Sequence, residues 1–466
     1  MRVMSFILVL FSSALIEAQD PRPRQEASSV DPAAAVARLR QAFVDVVKLG
    51  KSAEKPILKL RRRLKVKPAV SLMRVMSKSL RNAKPPATPS DAAAIGQACQ
   101  QFADALDAVI VLGARGVEPV AAAANVASGF EKTFLEKVRD RLYVQVAYAE
   151  IRSHFIDGKP QGTFDGMFPE TAALGPKGAR AMLDLFVDLD QETGVRSHAG
   201  EGVAQLGSKE DIPTVRDIHG DELEEASLRT KAMYVLARLG DTSAFDERLK
   251  ALDGKLEEIE QKRDKARETL SARTESYRKL ESLAAPTDAQ KAEMESLKKT
   301  IAKARQEWVN AVFACGNGYV QRAGLFQEIR QRKKTEECYR IALLDNWLKI
   351  GRYLQGAKYR ARVSNAFYNL SCVLSLQHSK ASPRLDAAME SLENAFRWGY
   401  ASVEWAQRDG DLENLRKDPR FGKLLTDVNS GAAMKRWMAE AEAARKKAEA
   451  ERKGAGNAAS DKSGDQ

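Results

Sequence analysis

The feature that most constrains this 466-residue chain is a recurrence in its middle third. Aligning VRSHAGEGVAQLGS (195–208) with LRTKAMYVLARLGD (228–241) pairs Arg196 with Arg229, Ala199 with Ala232 and Ala204 with Ala237. The LG step at 206–207 returns at 239–240, so the period is 33 residues throughout. Each copy is an apolar helical pattern, a glycine stop and a second helical pattern, IPTVRDI in one and AFDERLKAL in the other. One such pair cannot bury its apolar face alone and needs stacked neighbours. The expected fold class is therefore all-α, a solenoid of helical hairpins. No strand run bounded by hairpin signals competes with it.

Residues 174–252 resemble a short HEAT-like array, with LGPKGARAMLDLFVDL (174–189) as a preceding, less regular unit. The period then changes. Leu252, Leu256, Ile259, Arg263, Ala266, Leu270, Arg273, Tyr277 and Leu280 alternate steps of four and three, a heptad seam with two arginines in core positions. AAPTDAQ (284–290) interrupts it, Thr287 or Asp288 can cap a new helix, and Met294, Leu297, Ile301, Ala304 and Trp308 resume the spacing. Pro286 favours an antiparallel coiled-coil hairpin over 253–307; the alternative is one long helix that dimerises.

FYNLSCVLSLQHSKASPRLDAAMESLENAFRWGY (367–400) resembles a tetratricopeptide repeat through Phe367 and Leu370 on its first helix and Ala388, Leu392 and Ala395 on its second. The A-x3-L-x2-A spacing puts two small residues and one large one on a single helical face. It departs from the pattern in its HSKASP insertion and in Ser371. A more degenerate copy precedes it, CGNGY (315–319) with Thr335, Tyr339 and Ala342, and LKIGRYLQGAKYRARVSNAF is read as the connecting helix. The resemblance implies a groove lined by first helices, which places Asn310, Phe313, Asn317, Asn365 and Tyr368 against a partner peptide or helix. Asn offers donor and acceptor together, which suits an extended backbone. GYASVEWAQRDGDLENLRKDPRF (399–421) is similar to the closing module of some bacterial arrays of this family. There Trp405, Leu412, Leu415 and Phe421 would cover the open end of the stack, and Asp418 would cap a helix begun by Pro419. Repeats and module span 308–430.

The N-terminus, MRVMSFILVLFSSALIEAQD, has the pattern of a signal peptide over 1–18, ending at Ala18 or, alternatively, Ala14; an uncleaved interfacial anchor is the other reading. An extracytoplasmic location, periplasmic or secreted, is expected. Residues 19–90 form a basic helical segment that ends in the Pro-rich AKPPATPS, 91–173 a helical domain, and 431–466 a charged helix followed by a polar disordered tail. From Lys51 to Lys84, twelve Lys and Arg face one acid, Glu54, so this stretch holds +11 of the chain's formal +12. Arg61, Arg62, Arg63, Lys65 and Lys67 form its densest part and make an anionic envelope polymer or membrane surface a candidate partner, against a plain solvated surface. Nucleic acid ranks last, because no aromatics interleave the charges.

No spacing proposes catalysis, metal or cofactor. An EF-hand counted from Asp409 would need Gly and Glu where Asn414 and Arg420 stand. GRYLQGAKY (351–359) lacks the Lys-Ser/Thr of a phosphate loop. His154, His198, His219 and His378 stand apart. Cys99, Cys315, Cys338 and Cys372 read as buried structural thiols, with a Cys315–Cys338 bridge left open. The expected function is a non-catalytic protein–protein scaffold; the alternative is adhesion to an anionic surface through 51–84.

Overall fold

A computed structural model describes residues 30–60, 72, 76, 77, 80, 81, 91–156, 159, 160, 168–353 and 356–460. The expected signal peptide, the linker at 83–90, and Arg61, Arg62, Arg63, Lys65 and Lys67 lie outside the described residues. The fold is all-α. Its one paired strand element among the described residues is the two-residue ribbon of Phe155–Ile156 with Lys159–Pro160. None of the described helices is long and apolar enough to cross a membrane.

Two compact units divide the chain: Met1–Ser153 with Phe168–Gly202, and His154–Met167 with Val203–Gln466. The first contains α1 (Pro32–Lys48), α2 (Glu54–Leu60), α3 (Ala92–Val111), α4 (Ala114–Val126), α5 (Gly129–Ser153), α6 (Pro169–Ala173) and α7 (Pro176–Val187). Asp31 starts α1 by accepting from the Ala33 amide at 3.0 Å, with Pro32 at the first helical position. The core is aromatic: Phe43 stacks on Phe134 at 4.8 Å, and Phe102 and Phe130 lie 6.5 and 5.2 Å from Phe43. The buried Glu150 carboxylate accepts from the Glu170 and Thr171 amides and from the Thr171 hydroxyl (2.9, 3.0 and 2.6 Å), so a charge inside the unit holds the start of α6.

The recurrence is physically real. α8 (Thr193–Leu206), α9 (Ile212–Gly220) and α10 (Ala226–Leu239) follow the helix–glycine–helix order. Equivalent positions Val195 and Leu228, Ala199 and Ala232, and Val203 and Leu236 are all buried, an i, i+4, i+8 stripe in each copy. Gly240 ends α10 at φ +106°, a left-handed C-cap that a side chain would strain.

In place of separate repeat and seam helices, α11 runs unbroken from Ser243 to Glu281 and α12 from Asp288 to Glu328. Nothing in the sequence between AFDERLKAL and the seam is strong enough to stop a helix; Gly254 alone costs about 1 kcal/mol. Thr287 caps α12 in a reciprocal box with Gln290 (3.3 and 2.8 Å). The helices are antiparallel: Tyr277 meets Lys298, Arg273 donates to the Thr300 carbonyl at 2.9 Å, the Tyr319 hydroxyl donates to Glu260 at 2.9 Å, and Arg322 pairs with Asp253 at 3.0 Å. Of the seam arginines, Arg273 thus finds a carbonyl of the facing helix, and Arg263 the carboxylate of its neighbour Asp264 at 2.8 Å.

The second unit continues with α13 (Arg332–Arg340), a π-turn (Ile341–Asn346), a 3-10 stretch (Trp347–Tyr353), α14 (Ala357–Gln377), α15 (Leu385–Arg397), α16 (Val403–Arg408), α17 (Glu413–Arg416), α18 (Pro419–Asn429) and α19 (Ala432–Ser460). The connecting helix expected across LKIGRYLQGAKYRARVSNAF is split: a 3-10 stretch ends it, and α14 begins after Gly356 at φ +113°. Leu412, Leu415 and Phe421 are buried in the core, Trp405 packs against it, and Asp418 caps α18 through the Arg420 amide at 2.9 Å. All four cysteines are buried and unbridged.

Candidate functional site

The residues expected to line a groove fall on α12 and α14. Trp308 stands edge-on to Tyr353 (6.5 Å between centroids), Phe313 edge-on to Tyr359 (4.6 Å), and Asn317 accepts from Arg362 at 2.8 Å. Numbers rise together along both partners, so the segments run parallel. Phe313 also stacks on Trp347 at 5.5 Å, and the Trp347 indole N–H donates to the Phe313 carbonyl at 3.1 Å. Gly316 makes room for that indole; a Cβ there would overlap the ring.

Asn310, Phe313 and Asn317 therefore share one run of α12. Asn310 is exposed and accepts from Gln306 at 2.9 Å, and Asn365 is exposed on α14. Tyr368 is not a groove residue. It is 4% exposed, its hydroxyl donates to Asp409 at 2.7 Å, and its ring stacks on Tyr400 at 4.2 Å. Although three residues beyond the exposed Asn365 on α14, it is covered by the segment that carries Tyr400 and Asp409.

Beside Asn310 a recess of about 260 Å³ opens between α12 and the 3-10 stretch, lined by Ala302, Arg305, Gln306, Val309, Arg352 and Tyr353. The Arg352 guanidinium lies 4.8 Å over the Tyr353 ring. Among the described residues neither Arg305 nor Arg352 has a carboxylate at ion-pair distance. Two unpaired guanidiniums around one recess favour a carboxylate-bearing occupant.

A cluster of titratable groups is buried in the end segment. Asp409, 5% exposed, accepts from Tyr368, from the Cys372 thiol at 3.8 Å and from the Asp411 amide at 3.1 Å, while its carbonyl accepts from Arg416 at 2.5 Å. Burial first, then the neighbouring carboxylates, push the Cys372 thiol well up. Burial also raises the Tyr368 hydroxyl, and Tyr400 to about 12. A nucleophile needs the opposite shift. Tyr368 and Cys372 stay protonated and donate to Asp409, while Tyr400 stacks on Tyr368, so the cluster works as a latch between α14 and the closing segment.

In the first unit a cleft of about 540 Å³ lies between α5 and α7. Lys137, Asp140, Arg141 and Tyr143 form one wall, Lys177, Arg180 and Asp184 the other, and Leu72 contributes from the basic segment. Lys177 donates to the Tyr143 hydroxyl at 3.0 Å. Arg180 pairs with Asp184 at 3.2 Å, and Arg139, outside the cleft, lies 3.6 Å from Asp140. Burial pushes the Asp184 carboxyl up against the pull of Arg180 and Arg141. Sequence reasoning misses both recesses. The usable signals were the i, i+4 step of Lys137 and Arg141 and the adjacency of Arg305 to Gln306, neither distinguishable from an ordinary solvated face. Comparison of the chain with protein-family models, curated proteins and solved structures finds no match.

Proposed function

We propose that the protein is a non-catalytic, extracytoplasmic scaffold that holds a partner peptide or helix on its C-terminal hairpins. In this reading 174–252 is a HEAT-like array, and 308–430 holds tetratricopeptide-like repeats whose closing module covers the end of the stack. The observation that carries it is the recess between Arg305 and Arg352, which opens onto the α12 face beside Asn310. A groove of exposed Asn and Gln, with two guanidiniums that have no carboxylate at ion-pair distance among the described residues, suits an extended or helical segment that bears a carboxylate. The test is capture by the immobilised chain against an Arg305→Glu, Arg352→Glu variant of equal thermal stability. A partner retained by the first and lost by the second is expected; identical capture by both removes the groove reading.

A second reading, adhesion to an anionic envelope polymer or membrane, is favoured by one observation. Leu72, inside the +11 segment, lines the cleft that also carries Lys137, Arg141, Lys177 and Arg180. Such binding would collapse between low and moderate salt, whereas groove binding would largely survive. A salt-insensitive interaction abolished only by the groove variant would leave the second reading without support.

A further inference from the structure

We propose that the cleft between α5 and α7 is a binding site for a ligand bearing more than one phosphate charge, with Lys137, Arg141, Lys177 and Arg180 as its anion contacts. The proposal takes its ligand class from the anionic reading but uses cations outside residues 51–84, so the two stand or fall separately.

Charge accounting selects the ligand class. Of the cleft's two carboxylates, Asp184 is matched by Arg180 at 3.2 Å and Asp140 by Arg139 at 3.6 Å. Lys137, Arg141 and Lys177 are left without an ion-pair partner among the described residues. A single negative charge would leave this excess uncompensated; a polyphosphorylated ligand balances it. Its size agrees, since about 540 Å³ falls in the range of small-molecule sites and far exceeds one inorganic anion.

The cleft is also built. Lys137 and Arg141 lie one turn apart on α5 and face Lys177 and Arg180, one turn apart on α7. Tyr143, buried in the α5 wall, accepts from the Lys177 ammonium at 3.0 Å and so holds it at the cleft. The arginine forks offer bidentate donors that match phosphoryl oxygens, and the lysines act as point charges. Leu72 and Ala181 add apolar surface for whatever carries the phosphates.

The experiment is calorimetric titration of the full chain at low salt with inorganic tripolyphosphate. A parallel arm uses sedimentation with phosphatidylcholine vesicles, with and without phosphatidylglycerol. Lys137→Glu with Lys177→Glu should weaken tripolyphosphate binding by about a hundredfold, since each lost charge-assisted contact is worth about tenfold or more. The milder Lys137→Gln should weaken it by about tenfold and guards against a folding defect. Binding of tripolyphosphate without vesicles identifies a soluble phosphate ligand, and binding of both identifies a headgroup site; either supports the cleft. Absence of tripolyphosphate binding, or binding unchanged in both cleft variants, overturns it. Loss caused only by neutralising residues within 51–84 also overturns it, while leaving the anionic reading intact.

Discussion

The hairpin of α11 and α12 and the closing segment after α15 belong to one unit, yet they bury their side chains very differently. Along the hairpin's seam, Ile259, Arg263, Ala266, Leu270, Arg273, Tyr277 and Leu280 are only half-buried, because two helices cover a face that needs a third layer. In the closing segment, Leu412 and Leu415 are fully enclosed, and even Asp409 and Asp411 are buried, at 5% and 4% exposure. Two helices leave their polar seam residues in reach of water, whereas a third layer makes an unpartnered polar group costly. Mutations should therefore be costly around the end segment and the core beneath it, and mild along the distal hairpin.

The largest effect expected is from Trp347→Ala. The indole fills the space left by Gly316, stacks on Phe313 and donates to its carbonyl, so truncation should cost about 3–5 kcal/mol in denaturant unfolding. A loss below about 1 kcal/mol would mean that the hairpin base is no better packed than its tip.

Next is Tyr368→Phe, which withdraws one donor from the buried Asp409 and should cost about 1–3 kcal/mol. In a double-mutant cycle, most of that loss should vanish in an Asp409→Asn background. Additive losses would break the assignment of the pair as a latch.

A smaller effect sits at the cap of α18. The hydrogen bonds from Arg420 hold the Asp418 carboxyl at about 2, below its ordinary 3.8. A depressed carboxyl stabilises the fold above its unfolded value and loses that contribution as pH falls through its folded value. Asp418→Ala should cost about 1 kcal/mol at neutral pH, through the lost cap. The gap to the native chain should close as pH falls from about 4 to about 2. A gap unchanged at pH 2 would show that the carboxylate charge contributes nothing.

The smallest effect belongs to the hairpin. Arg273→Met gives up a donation to the Thr300 carbonyl at a half-exposed position and should shift stability by less than about 0.5 kcal/mol. Native-state hydrogen exchange should find amides around 265–300 opening more readily than those of α14. Equal protection of the two regions would overturn the contrast between open seam and sealed end.

Much of this fold is legible in the residues alone. The 33-residue recurrence, the Pro286 break, the Thr287 cap and the Asp418–Pro419 start are local signals, and each appears where hydrophobic periodicity and turn chemistry put it. Arg305 and Arg352, or Lys137 and Lys177, are not legible as pairs, since they are 47 and 40 residues apart in sequence and nothing local links them. Tyr368 fails as a groove residue for the same reason. Its helix and spacing are readable, but its orientation depends on Asp409, 41 residues later.

The chain by itself determined that it is helical, where its hairpins turn and which stripes are apolar, because these follow from interactions within a few residues of one another. Only the tertiary structure decided which polar groups are spent inside and which are left to meet a ligand. The closing segment's Asp409 is spent on Tyr368, whereas Lys137, Arg141, Arg305 and Arg352 border open recesses. That distinction is set by burial and by long-range partners, which periodicity does not encode.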